Sequence, residues 1–150
     1  MIALSLWDPW GTAMMLGLKH VETRGWYCQY RGPLVIHVAR SRDAVDHIQR
    51  SPLWQYLAPT GYGTVKPWPL GCAVAVVEVI DCQPVQQLAP TLSPMELAFG
   101  DYRQFGDDGK QRYGIITTHL IPFEKPIPWK GAQGFWNYTG PLPEGVRRAG

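Results

Sequence analysis

A chain of 150 residues, 45% hydrophobic and 17% charged, has apolar material for one well-packed core, which excludes intrinsic disorder, and no composition break divides it. No apolar run approaches the roughly 20 residues of a membrane span, and Ile2 to Trp7 is too short and lacks the basic start of a signal peptide, so a cytoplasmic protein without membrane partners is expected. The net charge of +2, from 14 Lys+Arg against 12 Asp+Glu, excludes a polycation that grips long duplexes by counterion release and suits a small ligand or short RNA contacts.

Ile2 to Trp7 predicts a first strand. Asp8-Pro9 then predicts a helix start, with Asp8 in cap position and Pro9 in the first turn where its missing N–H costs nothing; the helix runs to about Leu18. Trp10, Ala13, Met14 and Gly17 share one helical face, a core stripe for Met14 and an open choice between core and ligand wall for Trp10. Gly17-Leu18-Lys19-His20-Val21-Glu22-Thr23-Arg24 follows, placing an ammonium, a carboxylate and a guanidinium within six residues. If extended, it turns His20, Glu22, Arg24 and Trp26 to one side and Val21 and Thr23 to the other, forming either a surface ion pair or the wall of a site.

Leu34 to Ala39 reads as a buried strand, and Arg42 to Tyr56 as helical until Pro52 breaks it. Cys72 to Ile80 reads as a central strand bounded by Gly71 and by Asp81-Cys82-Gln83-Pro84, with Glu78 opening either onto a pocket or to solvent. Ser93-Pro94-Met95-Glu96 has the makings of a capping box, which gives Glu96 a structural role. Asp107-Asp108-Gly109 signals a hairpin turn, and Tyr113 to Ile121 is the last long strand. From Pro122, with Pro126, Pro128, Gly131 and Gly134, an irregular strap leads to Phe135-Trp136-Asn137-Tyr138. The pattern predicts an α+β fold whose mixed sheet curls into a small β-barrel with flanking short helices. Residues 1–143 form one domain and 144–150 a frayed tail.

Cys28, Cys72 and Cys82 include no close pair, and His20, His37, His47 and His119 are scattered, so no disulfide framework, metal or cofactor is expected. Seven tryptophans are many for this length; with Tyr102 and Asn137 they suggest a cleft for a planar polar heterocycle. Lys19 is expected half-buried there, its Glu22 neighbour favouring carbonyl polarisation over base chemistry, so that replacing it harms function rather than folding.

The order of these blocks resembles the ASCH domains, a branch of the PUA-like superfamily. Gly17, Lys19, Glu22 and Arg24 fill the four fixed places of Gly-x-Lys-x-x-Glu-x-Arg, and Glu96 to Tyr102, Lys130-Gly131 and Gln133 to Asn137 look like the later signatures. The resemblance implies a five- or six-stranded PUA-like pseudo-barrel with a cleft beside it and an association with RNA. Some small bacterial members are amidohydrolases that deacylate cytidine acylated on its exocyclic amine, using a lysine, a threonine and a glutamate. Lys19 matches the lysine; Glu22 stands at the threonine's place, with Thr23 one residue on; Glu96 is the candidate glutamate. On this reading Lys19 stabilises the oxyanion, Glu22 or Glu96 activates water, and Arg24, Tyr102 and Asn137 hold a nucleoside against Trp10, Trp26 or Trp136. The rival is a non-catalytic RNA or modified-base module with Arg31, Arg40, Arg42, Lys66 and Lys130 steering phosphates; a third is a ribonuclease.

Overall fold

The computed structural model describes residues 1–146; the end of the expected tail, 147–150, lies outside the described residues. Six strands, β1 (Ile2–Leu6), β2 (Val21–Arg24), β3 (Gly32–Val38), β4 (Cys72–Pro84), β5 (Tyr113–Pro128) and β6 (Phe135–Asn137), form one sheet in the order β2-β5-β4-β3-β1-β6. Only β1 and β3 run parallel, and the connection between them carries β2 to the far edge. Short helices α1 (Trp10–Met15), α2 (Trp54–Leu57), α3 (Val85–Leu88) and α4 (Pro94–Ala98) fill the connections. The architecture is the expected α+β one, a curled, barrel-like sheet with flanking helices.

Alternation along the strands sorts the core onto two faces. Leu4, Leu6, Leu34, Ile36 and Val38 pack with Met14 and Met15 of α1 on one side. Ala3, Val35, Ala73, Val76 and Tyr138 pack on the other, where Leu142 and Val146 also lie. A third cluster, Ala13, Ile48, Leu53, Leu57 and Phe99, seats α1 against α2 and the end of α4.

Three boundaries differ from expectation. Asp81-Cys82-Gln83-Pro84 does not end the central strand but continues it, because β5 supplies partners as far as Pro84, opposite Tyr113. From Ala73 to Val77 this strand is buried on both faces; beyond, Val79 stays inside while Glu78 and Ile80 turn to solvent. Pro122 to Pro128 is not an irregular strap either. It extends β5 along β4, Pro122 opposite Ala75 and Pro128 opposite Cys72. Prolines are tolerated there because β2 pairs only with Tyr113 to Ile116, which leaves the rest of β5 as an edge where a missing N–H breaks no ladder. Between Arg42 and Tyr56 a 3-10 turn at Ile48–Arg50 and the one-turn α2 replace the helix that Pro52 interrupts.

A fourth difference concerns Asp8. It lies outside the cap, which is Pro9, and accepts from Thr12 N–H and Oγ1–H, each at 2.7 Å. Its burial outweighs these two donors and raises its pKa to about 6. Since the folded chain then holds the proton more tightly than the unfolded one, the contribution of Asp8 to stability is greatest below about pH 4 and is lost as pH rises to about 6. Two pH units correspond to about 3 kcal/mol. Asp8→Asn should flatten this slope, read as the difference between wild-type and variant urea-unfolding curves at pH 4 to 7; parallel curves would show that Asp8 carries no such term.

Candidate functional site

The site begins with how β2 is held. Ser93 Oγ caps α4 by accepting from Glu96 N–H, as the capping pattern predicts. The Glu96 carboxylate does not close the box but reaches across to β2, accepting from His20 N–H at 2.8 Å and Val21 N–H at 3.3 Å. Thr117 of β5 completes the joint by donating its N–H and Oγ1–H to His20 O. Glu96 is therefore buried beneath β2 and facing backbone donors. Glu96→Gln presents an amide N–H₂ to those donors and should cost about 1–3 kcal/mol, the usual penalty for unmatched buried polar groups. Chemical denaturation checks it, and an unchanged midpoint would remove the anchoring role.

With β2 fixed, alternation sends Val21 into the core while Glu22 and Arg24 face the opposite side. Glu22 Oε1 lies 3.1 Å from Lys19 Nζ, and Glu22 Oε2 accepts from Arg24 Nε at 2.9 Å with Arg24 Nη2 also at 2.9 Å. Arg24 Nη2 also donates to Ser5 O at 3.2 Å, tying the edge strand to β1. Lys19 Nζ donates to Val21 O as well. Side-chain exposure rises along this row from 0% at Lys19 to 13% at Glu22 and 25% at Arg24. The row thus runs from the interior to a surface and ends on its guanidinium. Thr23 faces away, its Oγ1 accepting from Asp101 N–H.

Beyond Arg24 opens a cleft of about 1000 Å³ at the ends of β1 and β3, walled by Glu22 to Arg24, the Ala98 to Asp101 turn and the Lys130 to Gly134 loop. Of the residues expected at a site, it gathers Trp10, Glu22, Arg24 and Trp26, with Arg40 and Lys130 of the phosphate-steering set. Trp7, Ser5, His37 and Asp101 line it too. Trp7 is half-exposed, a strand-end aromatic with no core to cover.

The other expected residues lie elsewhere. Lys19 sits behind Glu22, fully buried rather than half-buried. Trp136 packs edge-on to His37 and Tyr138 and donates Nε1–H to Ser5 Oγ at 3.1 Å. Asn137 Oδ1 receives the chain's N-terminal ammonium. The Tyr102 phenol is buried without a hydrogen-bond partner among the described residues, and burial, reinforced by Glu96 and Glu22, pushes its pKa up. Asp101 is the second carboxylate on the cleft wall; its Arg103 partner and Arg112 hold its pKa at about 2, which makes it a weak base. Ser5 and His37 escaped sequence reasoning because 32 residues separate them; their pairing exists only through the β1–β3 register.

Among the described residues no helix is long and apolar enough to cross a membrane, and no group of three or more His, Cys, Asp or Glu is placed to hold a metal ion. The chain is 28% identical over 146 residues to activating signal cointegrator 1 of Homo sapiens and 24% identical to that of Mus musculus. These alignments cover 97% of this chain but 23% of either relative, so the chain spans about a quarter of their length. Among solved structures it is similar to an ASCH protein from Zymomonas mobilis, at 15% identity, 84% coverage of this chain, 71% of that one and a TM-score of 0.49. The ASCH domain model matches residues 4–127, more than half of the sequence and nearly the whole span from β1 to β5, and the chain belongs to the ASCH domain family.

Proposed function

We propose that the cleft binds a nucleobase, presented by a cytidine-type nucleoside or a short single strand of RNA. The observation that carries this reading is that Trp7, Trp10 and Trp26 line the cleft together with Arg24, because flat aromatic surface and a planar cation suit a base's π-face and polar edge. Arg40 and Lys130 supply positive charge on the same cleft for a phosphate. Tryptophan fluorescence tests the reading. Saturable quenching by cytidine or acetylcytidine that survives 0.5 M salt, with its Debye length of about 4 Å, supports a nucleoside pocket. Quenching by oligoribonucleotides alone, fading with salt, supports an RNA-binding module, and no quenching by either overturns the proposal.

A second reading, hydrolysis of cytidine acylated on its exocyclic amine, is favoured by the position of Glu22. Of the two carboxylates lining the cleft it is the one outside the Arg103 and Arg112 cluster; Lys19 and Arg24 hold its two oxygens, and it lines the cleft with the Arg24 and Trp26 that would hold a ligand. Glu22 would accept a proton from water and return it to the leaving amine, with Arg24 stabilising the oxyanion in place of the interior Lys19. Release of free cytidine from acetylcytidine, followed by chromatography, tests it. Glu22→Gln should lower the rate at least a hundredfold, the scale of general-base catalysis; turnover within threefold of wild type would assign the chemistry elsewhere.

A further inference from the structure

The parallel register of β1 and β3 sets Ser5 opposite His37 on a wall of the cleft. Ser5 Oγ lies 2.9 Å from His37 Nδ1, and His37 Nε2 lies 2.7 Å from Trp129 O. A carbonyl oxygen only accepts, which assigns the ring proton to Nε2 and leaves the Nδ1 lone pair facing the Ser5 hydroxyl. This is the arrangement by which a base activates a hydroxyl: nucleophile, imidazole and a third group that orients the imidazole. Trp129 O is placed to stabilise the imidazolium as it forms, as a carboxylate does elsewhere. Burial of His37, 2% exposed, lowers its pKa and keeps the ring neutral before reaction.

We propose that Ser5 and His37 form an acyl-transfer pair acting on an ester or amide held in the cleft. His37 Nδ1 takes the Ser5 proton as Oγ bonds to the acyl carbon. The tetrahedral adduct then expels its amine or alcohol, which leaves with the proton from Nδ1, and Ser5 remains as an ester. Water, deprotonated by His37, attacks that ester; the acid departs and Ser5 regains its proton. Trp136 Nε1–H, 3.1 Å from Oγ, occupies one lone pair of the hydroxyl and so turns its proton toward His37 Nδ1, and the Arg24 guanidinium, bonded to Ser5 O, stands beside the same residue. Gly131 covers the pair closely: a Cβ there would lie 2.4 Å from Ser5 Oγ and 2.6 Å from His37 Cε1, so only glycine lets the loop pass without displacing them. The pair needs neither Lys19 nor Glu22 as a base, and it rests on the reading of the cleft as the ligand site.

The test uses an alkyl fluorophosphonate and p-nitrophenyl acetate, small acylating or phosphonylating probes that need no nucleobase recognition. Intact-mass measurement and peptide mapping should find one adduct, on Ser5, and p-nitrophenolate release should show a burst. Ser5→Ala should abolish both, and His37→Gln should slow labelling at least a hundredfold. Gly131→Ala should slow it as well by pushing the pair apart. No adduct on the wild-type protein, an adduct at another residue, or a His37→Gln variant labelled at the wild-type rate would overturn the proposal. Should a variant fail to fold, the wild-type adduct map decides alone. Labelling without nucleoside quenching would retain the pair and reject the nucleobase reading; quenching without labelling would do the reverse.

Discussion

Lys19→Ala should cost about 3–5 kcal/mol of folding stability, the range for removing one partner of a buried ion pair. The lysine side chain has no exposed surface, and its ammonium faces Glu22 Oε1 and Val21 O. Its loss leaves the Glu22 carboxylate, 13% exposed, with Arg24 alone, and adds the cavity vacated by the lysine side chain beyond Cβ. Set against a usual total of about 5–15 kcal/mol, this is a fall in melting temperature on the order of 10 °C. Lys19→Met, which keeps most of the volume and removes only the charge, should fall less. A Lys19→Ala melt within 2 °C of wild type would mean that the ammonium is not structural. Loss of function in Lys19→Ala is consequently uninterpretable without the melt, whereas a half-exposed lysine would have allowed it to be read as chemistry.

The largest expected effect on binding falls on Trp10 and Trp26. A base stacked on an aromatic contributes about 1–3 kcal/mol, so alanine at whichever ring carries the base should weaken cytidine binding about tenfold or more. Trp26 already meets Phe135 edge-on, with ring centroids 5.4 Å apart, so its orientation in the wall is held before a ligand arrives. Trp136→Phe is the control. That ring packs on His37 and Tyr138, so its replacement should alter Ser5 labelling through the lost Nε1–H and leave nucleoside affinity unchanged. Isothermal titration of the three variants separates these outcomes; unchanged affinity in both Trp10→Ala and Trp26→Ala would remove stacking from the proposal.

Much of this was legible in the residues themselves. The β-branched and apolar runs of β3 and β4, the Ser93 cap, the Asp107 to Gly109 turn and the Pro52 break are local: each follows from backbone preference or period, which a short window of sequence contains. The four places of the Gly17 to Arg24 motif also lie within one window. Alternation along it correctly separated Val21 from Glu22 and Arg24, and the spacing from Lys19 to Glu22 allowed the ion pair that forms.

Burial and long-range register were not legible, because neither is a property of a window. Lys19 reads identically whether its ammonium meets solvent or an interior carboxylate; only the packing of α1 and β2 against the sheet buries it. Glu96 is a box residue by spacing, yet its carboxylate turns to β2 because two backbone donors lacking ladder partners lie there. Pro122 to Pro128 reads as a strand breaker until β5 is known to be an edge, where the missing N–H costs nothing. Local pattern was enough for an α+β chain with a charged motif on an extended segment. Tertiary structure alone decided which charge reaches the cleft, because that depends on which strands become neighbours; the parallel pairing of β1 with β3 likewise brings Ser5 to His37 across 32 residues.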